Sequence, residues 1–177
     1  MKIGQVVLVN SVSDVHAEIT KREEARFCRF LKIKTASRDI IALTYDIIRH
    51  NPEMKSIIRP KDIKREEIVK LFPDTLERYP TIIGLFLVGY VDADGRPHQR
   101  VPPQPPDIYD DVETMSDEEV DRFHRTDGRL MFNYLISLAS SDLGEKDAIL
   151  DVVMEWIERK YGVSLEEGVV RGDIGGK

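Results

Sequence analysis

The sequence predicts an α+β protein, with an N-terminal antiparallel β-barrel-like domain followed by a helical C-terminal part. β-branched and aromatic runs alternate with turn residues near the N-terminus, a proline-rich stretch follows, and the last third carries helical periodicity. We place the barrel-like domain at residues 1–95, a proline-rich strap at 96–115, a helical region at 116–162 and a flexible tail at 163–177.

The first half of the β domain has the composition of a four-stranded meander. The strand candidates are residues 2–10, 16–20, 27–35 and 39–48, and the charged segment 21–25 suits a hairpin tip. Segment 39–48 keeps neither the strand period nor the helix period cleanly, so a helix stays an alternative there. Closure of a barrel depends on this segment being a strand.

Residues 51–80 differ from what precedes them, because turn prolines and helical spacing predict a helical excursion at about 60–79. The sheet resumes with the apolar run TIIGLFLVGYVD, which starts at Thr81. Gly84 and Gly89 interrupt this run and predict bulges or close backbone approach. Such glycines suit a strongly curved sheet.

The helical region has recognisable boundaries. Ser116 and Glu119 fit a capping box for a helix that runs to about residue 125. A second helix is predicted over 129–140 and a third over 144–161, with Gly162 as its stop. The third helix is the clearest, because its apolar residues recur at steps of three and four.

An apolar stripe along the third predicted helix must be covered. We expect it to pack on the barrel and the preceding helix, since burial in the core is the default for such stripes. A groove for another chain is the alternative, and Ile149, Val153 and Trp156 are then the candidate partner-binding residues.

Charge and cysteine content narrow the function classes. The formal net charge is −6, so the global field repels nucleic acid, although a local basic face remains open. Cys28 is the single cysteine, which excludes an intramolecular disulfide and suggests a reducing, cytoplasmic location. The longest apolar run falls well below the roughly 18 residues of a membrane-spanning helix, so we predict no membrane insertion.

Residues 81–119 carry a resemblance to a known family. A late strand ending in LVGYVD, the run RVPPQPPDIYDDV and the acidic helix start SDEEVDRFH resemble the HAS-barrel domain of archaeal HerA-type DNA-translocating ATPases. The opening segment resembles the first hairpin of that domain, with Ile3, Gly4 and Val6 in its I-G-x-V pattern. The resemblance covers residues 2–124, and its remaining matching positions are Pro103, Pro105, Pro106, Val112, Glu118 and Glu119.

The resemblance implies a function in assembly rather than in ATP hydrolysis. No G-x-x-x-x-G-K-[ST] motif occurs in the chain, so the backbone cradle and the lysine that hold nucleotide phosphates are missing. We therefore expect a stand-alone, noncatalytic barrel that requires no cofactor. The implied partner is a protein, a HerA-type ATPase or its nuclease in DNA processing, and a homo-oligomer is a further arrangement.

A nucleic-acid-binding barrel is the first alternative. Two basic stretches supply the candidate contacts, which are Lys32, Lys34, Lys61, Lys64 and Arg65. Phe27 and Phe30 lie near the first stretch, where aromatic rings suit base stacking. The competing interpretation is that both rings face the core and the basic residues pair with neighbouring glutamates.

A metal-dependent hydrolase is the second alternative. Asp107, Asp110 and Asp111 place three carboxylates within five residues, and carboxylate oxygens are ligands for magnesium and calcium. The segment lacks the order of residues of a calcium loop, so a solvated acidic cluster is the favoured interpretation.

Overall fold

The computed structural model describes residues 1–49 and 80–165, together with Lys64, Glu66, Glu67 and Lys70. The predicted excursion at 60–79 and most of the predicted tail fall outside the described residues. The described strands are β1 (Lys2–Val9), β2 (Asp14–Ile19), β3 (Phe30–Lys34), β4 (Asp39–Arg49), β5 (Thr81–Val91), β6 (Pro97–His98), β7 (Asp111–Thr114), β8 (Arg125–Thr126) and β9 (Arg129–Leu130). The described helices are α1 (Asp117–Phe123), α2 (Tyr134–Ala139), α3 (Lys146–Tyr161) and a short 3-10 helix at Arg22–Glu24.

Six strands form a closed antiparallel barrel, which confirms the predicted fold class. Around the ring, β1 pairs with β2, β2 with β5, β5 with β4, β4 with β3, β3 with β7, and β7 with β1. Closure removes the exposed edges that an open sheet would leave. The short strand β6 lies outside this ring, against the end of β5.

Strand β7 differs from the sequence prediction, which placed residues 96–115 in a proline-rich strap. Val112 in this strand is fully buried and pairs with Ile33 on one side and Gly4 on the other. The stretch therefore includes the strand that closes the barrel. A strand of four residues is too short to show alternation in the sequence, which is why the prolines dominated the prediction.

The barrel interior is filled by side chains. Its buried apolar residues come from all six strands and are Ile3, Val6, Val15, Ala17, Ile19, Leu31, Ile33, Ile40, Ala42, Ile83, Leu85, Leu87, Tyr90 and Val112. A barrel of this size is a packed core rather than a channel.

The outer surface of β3, β4 and β5 forms a second core with the three helices. Phe30, Ile41, Leu43, Phe86 and Val88 face outward here and meet the apolar faces of α1, α2 and α3. Strands with both faces buried have continuous apolar sequences rather than alternating ones. This explains why residues 39–48 kept no clean period, and it confirms that they form a strand.

The helical region confirms two predictions and corrects one. The Ser116–Glu119 capping box is present, and α3 ends at Gly162 in the left-handed conformation with φ 66°. The predicted helix over 129–140 is wrong for its first turns, because β8 and β9 form a hairpin there. Asp127 and Gly128, with φ of 50° and 75°, form the two-residue turn that such hairpins favour.

Gly84 and Gly89 lie at irregularities in the β4–β5 pairing, as predicted. The register slips between Ile41 and Ala42, opposite Gly89, and again at Tyr45, opposite Gly84. A Cβ on Gly84 would lie 2.6 Å from the Tyr45 ring, and one on Gly89 would lie 2.2 Å from the backbone oxygen of His98. These contacts leave room for hydrogen only.

We predict that Gly89→Ala lowers the free energy of unfolding by about 1–3 kcal/mol, because the new methyl group overpacks rigid backbone. Urea denaturation measures the change. Gly144→Ala is the matched control, since nothing lies within 4 Å of its added Cβ, and it should change stability by less than about 0.5 kcal/mol. Equal effects of the two substitutions would contradict the close approach at Gly89.

None of the described helices is both long enough and apolar enough to cross a membrane.

Candidate functional site

The predicted nucleic-acid lysines on the barrel are engaged with carboxylates. The Lys32 Nζ lies 2.6 Å from Glu119 Oε1 and 3.7 Å from Glu113 Oε2, and its side chain is only 11% exposed. Burial alone would lower the pKa of Lys32, but the Glu119 hydrogen bond and charge outweigh it and leave that pKa raised. Lys34 pairs with Asp39 at 2.7 Å.

The other predicted contacts are not brought to the same place by the described residues. Lys64 is exposed, whereas Lys61 and Arg65 lie outside the described part of the chain. Phe30 is buried in the outer core and Phe27 is 43% exposed, so the two rings do not form one stacking surface.

The predicted acidic trio is used by local structure. The Asp110 Oδ2 accepts a hydrogen bond from the Asp107 backbone amide at 2.8 Å. Asp111 lies 2.6 Å from the Lys2 ammonium, and this hydrogen bond lowers the pKa of Asp111. Within the described residues, no group of three or more His, Cys, Asp or Glu side chains is placed to hold a metal ion.

Two of the three predicted partner-binding residues are buried inside the molecule. Ile149 is fully buried and Val153 is 1% exposed, so neither presents a surface to another chain. Trp156 is half-buried, and its ring lies 5.3 Å from that of Phe30 between centroids. The apolar stripe of α3 therefore packs on the barrel, which was the expected alternative of the two.

A buried histidine lies at the centre of the outer core. The His124 Nδ1 is 2.8 Å from the Val120 carbonyl oxygen, which can only accept, so this nitrogen carries the proton. The Nε2 then accepts from the Tyr134 hydroxyl at 3.0 Å. Six aromatic rings have centroids within 5.8 Å of the imidazole, those of Phe30, Phe123, Phe132, Tyr134, Trp156 and Tyr161. Burial lowers the pKa of His124 to about 4.

An exposed apolar loop lies against β1 and is called the Tyr109 loop, residues 107–110. Tyr109 is 72% exposed and Ile108 is 51% exposed, although both are large and apolar. The Tyr109 amide donates to the Val6 carbonyl at 2.8 Å, and Gln5 Nε2 donates to the Tyr109 carbonyl at 2.9 Å. The loop is thus fixed to the barrel wall while its side chains face outward.

Tyr109 has a backbone conformation that non-glycine residues seldom adopt. Its φ is 74°, and such left-handed conformations cost about 1–3 kcal/mol and cluster at functional sites. Leu8 is 46% exposed and lies two residues beyond Val6 on the same strand. The strand and the loop together present a small apolar surface at this side of the barrel.

A second surface feature is a basic cleft between β6 and the β8–β9 hairpin, called the arginine cleft. Its volume is about 780 Å³. Its lining includes three arginines, Arg96, Arg100 and Arg125, against one carboxylate, Asp127. The remaining lining residues are Gly95, Pro97, His98, Gln99, Thr126, Met131 and Asn133.

One wall of the arginine cleft is held by Gln99. Its Nε2 donates to the carbonyl oxygens of Phe123 at 3.0 Å and Met131 at 2.7 Å, and its Oε1 accepts from the Asn133 amide at 2.7 Å. A single side chain therefore ties β6 to the end of α1 and to the segment before α2. The relative position of the two walls is fixed by these three bonds.

The other wall is organised by Asp92. Its carboxylate accepts from the Arg96 amide at 2.9 Å and from the Asp94 amide at 3.0 Å, and it lies 2.8 Å from His98 Nε2. The His98 hydrogen bond is the main reason why the pKa of Asp92 is lowered. The His98 ring stacks on Tyr90 with centroids 4.7 Å apart.

Tyr90 connects the arginine cleft to the barrel interior. Its ring is buried, but its hydroxyl accepts from Arg100 Nη2 at 2.9 Å. The Arg38 guanidinium lies 5.2 Å from the centre of the same ring and that of Arg100 lies 5.9 Å from it, within cation–π range. Arg100 is thereby oriented by a neutral partner and keeps its full charge.

A protein-family model matches residues 1–167 and is described as a domain of unknown function, DUF8166. The chain belongs to the DUF8166 family. The DUF8166 match spans the six barrel strands, the three helices, the Tyr109 loop and the arginine cleft, so both surface features are part of the family's domain. No curated protein matches the chain.

Proposed function

We propose that this protein is a noncatalytic assembly module, whose partner is a HerA-type ATPase or its nuclease in archaeal DNA processing. The exposed, anchored Tyr109 loop is the observation that carries the proposal. A large aromatic side chain fixed in an unfavourable backbone conformation and left exposed suits a contact with another protein, since tyrosine is enriched at binding hot spots. The cytoplasm is the location that fits the single, unpaired cysteine.

The resemblance to the HAS-barrel family supports the choice of partner. The positions that carry it, Pro103, Pro105, Pro106 and Val112, flank the Tyr109 loop on both sides. The closed six-stranded barrel is the kind of fold that this resemblance implies. Val112 anchors one end of the loop in the barrel interior, so the sequence pattern and the exposed side chains belong to one structural unit.

The test is recovery of a HerA-type ATPase or its nuclease with the tagged full chain from nuclease-treated native extract. We predict that Tyr109→Asn reduces recovery about tenfold or more, because hot-spot tyrosines contribute about 2 kcal/mol or more. Asparagine tolerates the left-handed conformation, so the substitution removes the ring and keeps the backbone. Quantitative mass spectrometry measures the recovery.

Ile108→Ala is the second variant, and Ile136→Ala is its matched control. Ile136 is 46% exposed on α2, close to the 51% of Ile108, but it lies outside the Tyr109 loop. Recovery should fall with Ile108→Ala and stay unchanged with Ile136→Ala. The proposal fails if neither protein is recovered, or if both loop variants recover it as well as the wild type does.

A further inference from the structure

We propose that the arginine cleft binds the phosphate groups of an anionic ligand, a nucleotide or a nucleic-acid strand. The inference is independent of the assembly function, because Ile108 and Tyr109 do not line the cleft. It rests on a concave site of suitable size, on guanidinium groups without carboxylate partners, and on rigid walls.

The size of the cleft suits a ligand rather than a surface ion. Ligand sites typically measure about 300–1,000 Å³, and the arginine cleft falls within that range at about 780 Å³. A nucleotide or a few linked nucleotides fit such a volume. Its lining offers polar side chains at Thr126 and Asn133 beside the three arginines.

The charge of the cleft opposes that of the whole chain. The protein has a formal net charge of −6, yet this site gathers three guanidinium groups against the single carboxylate of Asp127. Clefts lined by one sign of charge focus the electrostatic field and concentrate ligands of the opposite sign. The global repulsion of nucleic acid therefore does not extend to this place.

Two of these guanidinium groups are not neutralised by the protein. Among the described residues, Arg96 and Arg100 have no carboxylate within ion-pair distance, and Arg100 donates only to the Tyr90 hydroxyl. Arg125 is the exception, since it pairs with Asp121 at 2.9 Å. Lys32 and Lys34 show the contrasting situation, because carboxylates already occupy their ammonium groups.

Guanidinium chemistry favours phosphate as the bound group. Arginine presents its donors in a planar fork that matches two phosphate oxygens at once. The Asp92 network fixes the backbone of Arg96, and the Tyr90 hydroxyl orients Arg100, so the donors are already arranged before a ligand arrives. Less ordering of these side chains is then required on binding.

Binding to the full chain is measured with two probes, ATP by calorimetry and a fluorescein-labelled single-stranded DNA by anisotropy. We predict that Arg96→Gln weakens binding about tenfold, because it removes a charge-assisted contact with phosphate. Arg96→Gln/Arg100→Gln should weaken it further and lower the slope of log K against log salt by about 1. The single variant removes no hydrogen bond or ion pair within the described protein.

Arg129→Gln is the matched control, since Arg129 is exposed on the same hairpin but does not line the cleft. This variant and Tyr109→Asn should bind both probes as the wild type does. Displacement of DNA by ATP would assign both to one site, and tighter binding of one probe identifies the source of the phosphate. The proposal is overturned if neither probe binds at millimolar concentration, or if Arg96→Gln, the double variant and Arg129→Gln all bind alike.

Discussion

Phe30→Ala is expected to lower the free energy of unfolding by about 3–5 kcal/mol, the usual cost of truncating a buried phenylalanine. Phe30 lies on the outer wall of the barrel and is 6% exposed. Its ring contacts those of His124 and Trp156, with centroids 5.1 Å and 5.3 Å away. The alanine variant leaves a cavity between the barrel and the helices, which loosens their attachment.

Urea denaturation followed by the fluorescence of Trp156 measures this effect, because Trp156 is the single tryptophan and lies beside Phe30. Phe27→Ala is the control, since Phe27 is 43% exposed and lies only three residues earlier. Its loss should cost less than about 1 kcal/mol. A comparable cost for both substitutions would show that the outer core does not depend on Phe30.

The contrast between these two phenylalanines shows how far the sequence determines the fold. Both lie in one aromatic run with Cys28 between them, so periodicity assigned them to one strand. The structure starts β3 only at Phe30, because Cys28 adopts a positive φ of 54° and turns the chain before the strand begins. Sequence patterns located the strand but not its first residue.

The barrel as a whole was predictable, whereas its closure was not. Local runs of β-branched residues predict β1 to β5, since each run carries its own signal. Closure instead depends on β7 inserting between β1 and β3, with Val112 opposite both Gly4 and Ile33. Such long-range pairing leaves no local mark in a segment of four residues.

The candidate surfaces could not be predicted for a related reason. Arg96 and Arg100 are close in sequence, but Arg125 reaches the same cleft only because the β8–β9 hairpin folds back toward β6. The hairpin was predicted as helix, so Arg125 had no reason to join the other two. Basic runs such as that around Lys32 were visible, yet cross-strand carboxylates that sequence cannot locate neutralise them.

Acid is expected to destabilise the protein through His124 before it affects most carboxylates. The imidazole has an ordinary pKa of about 6.5 in the unfolded chain, and burial lowers it to about 4 in the folded protein. Between these values the unfolded chain binds more protons, so stability is present above pH 6.5 and is lost as the pH falls toward 4. The loss amounts to about 2 kcal/mol at pH 5 and about 3 kcal/mol at pH 4.

The surroundings of His124 explain why the charged form is disfavoured. Desolvation is the main cause, and the positive charge of Lys160 adds to it, whereas the Val120 carbonyl and the charge of Asp121 act in the opposite direction. The six surrounding rings exclude water that would otherwise solvate an imidazolium. The folded protein therefore keeps His124 neutral at the cost of acid stability.

Urea denaturation at pH 7 and pH 5 measures the loss, with His124→Phe as the comparison. The variant is less stable at pH 7, because the Tyr134 hydroxyl loses its partner, but its stability should fall about 2 kcal/mol less between the two pH values. The imidazole resonances of the native wild type provide a second measurement that needs no variant. If those of His124 show protonation with a midpoint near pH 6.5, burial does not control its titration and the predicted acid sensitivity is wrong.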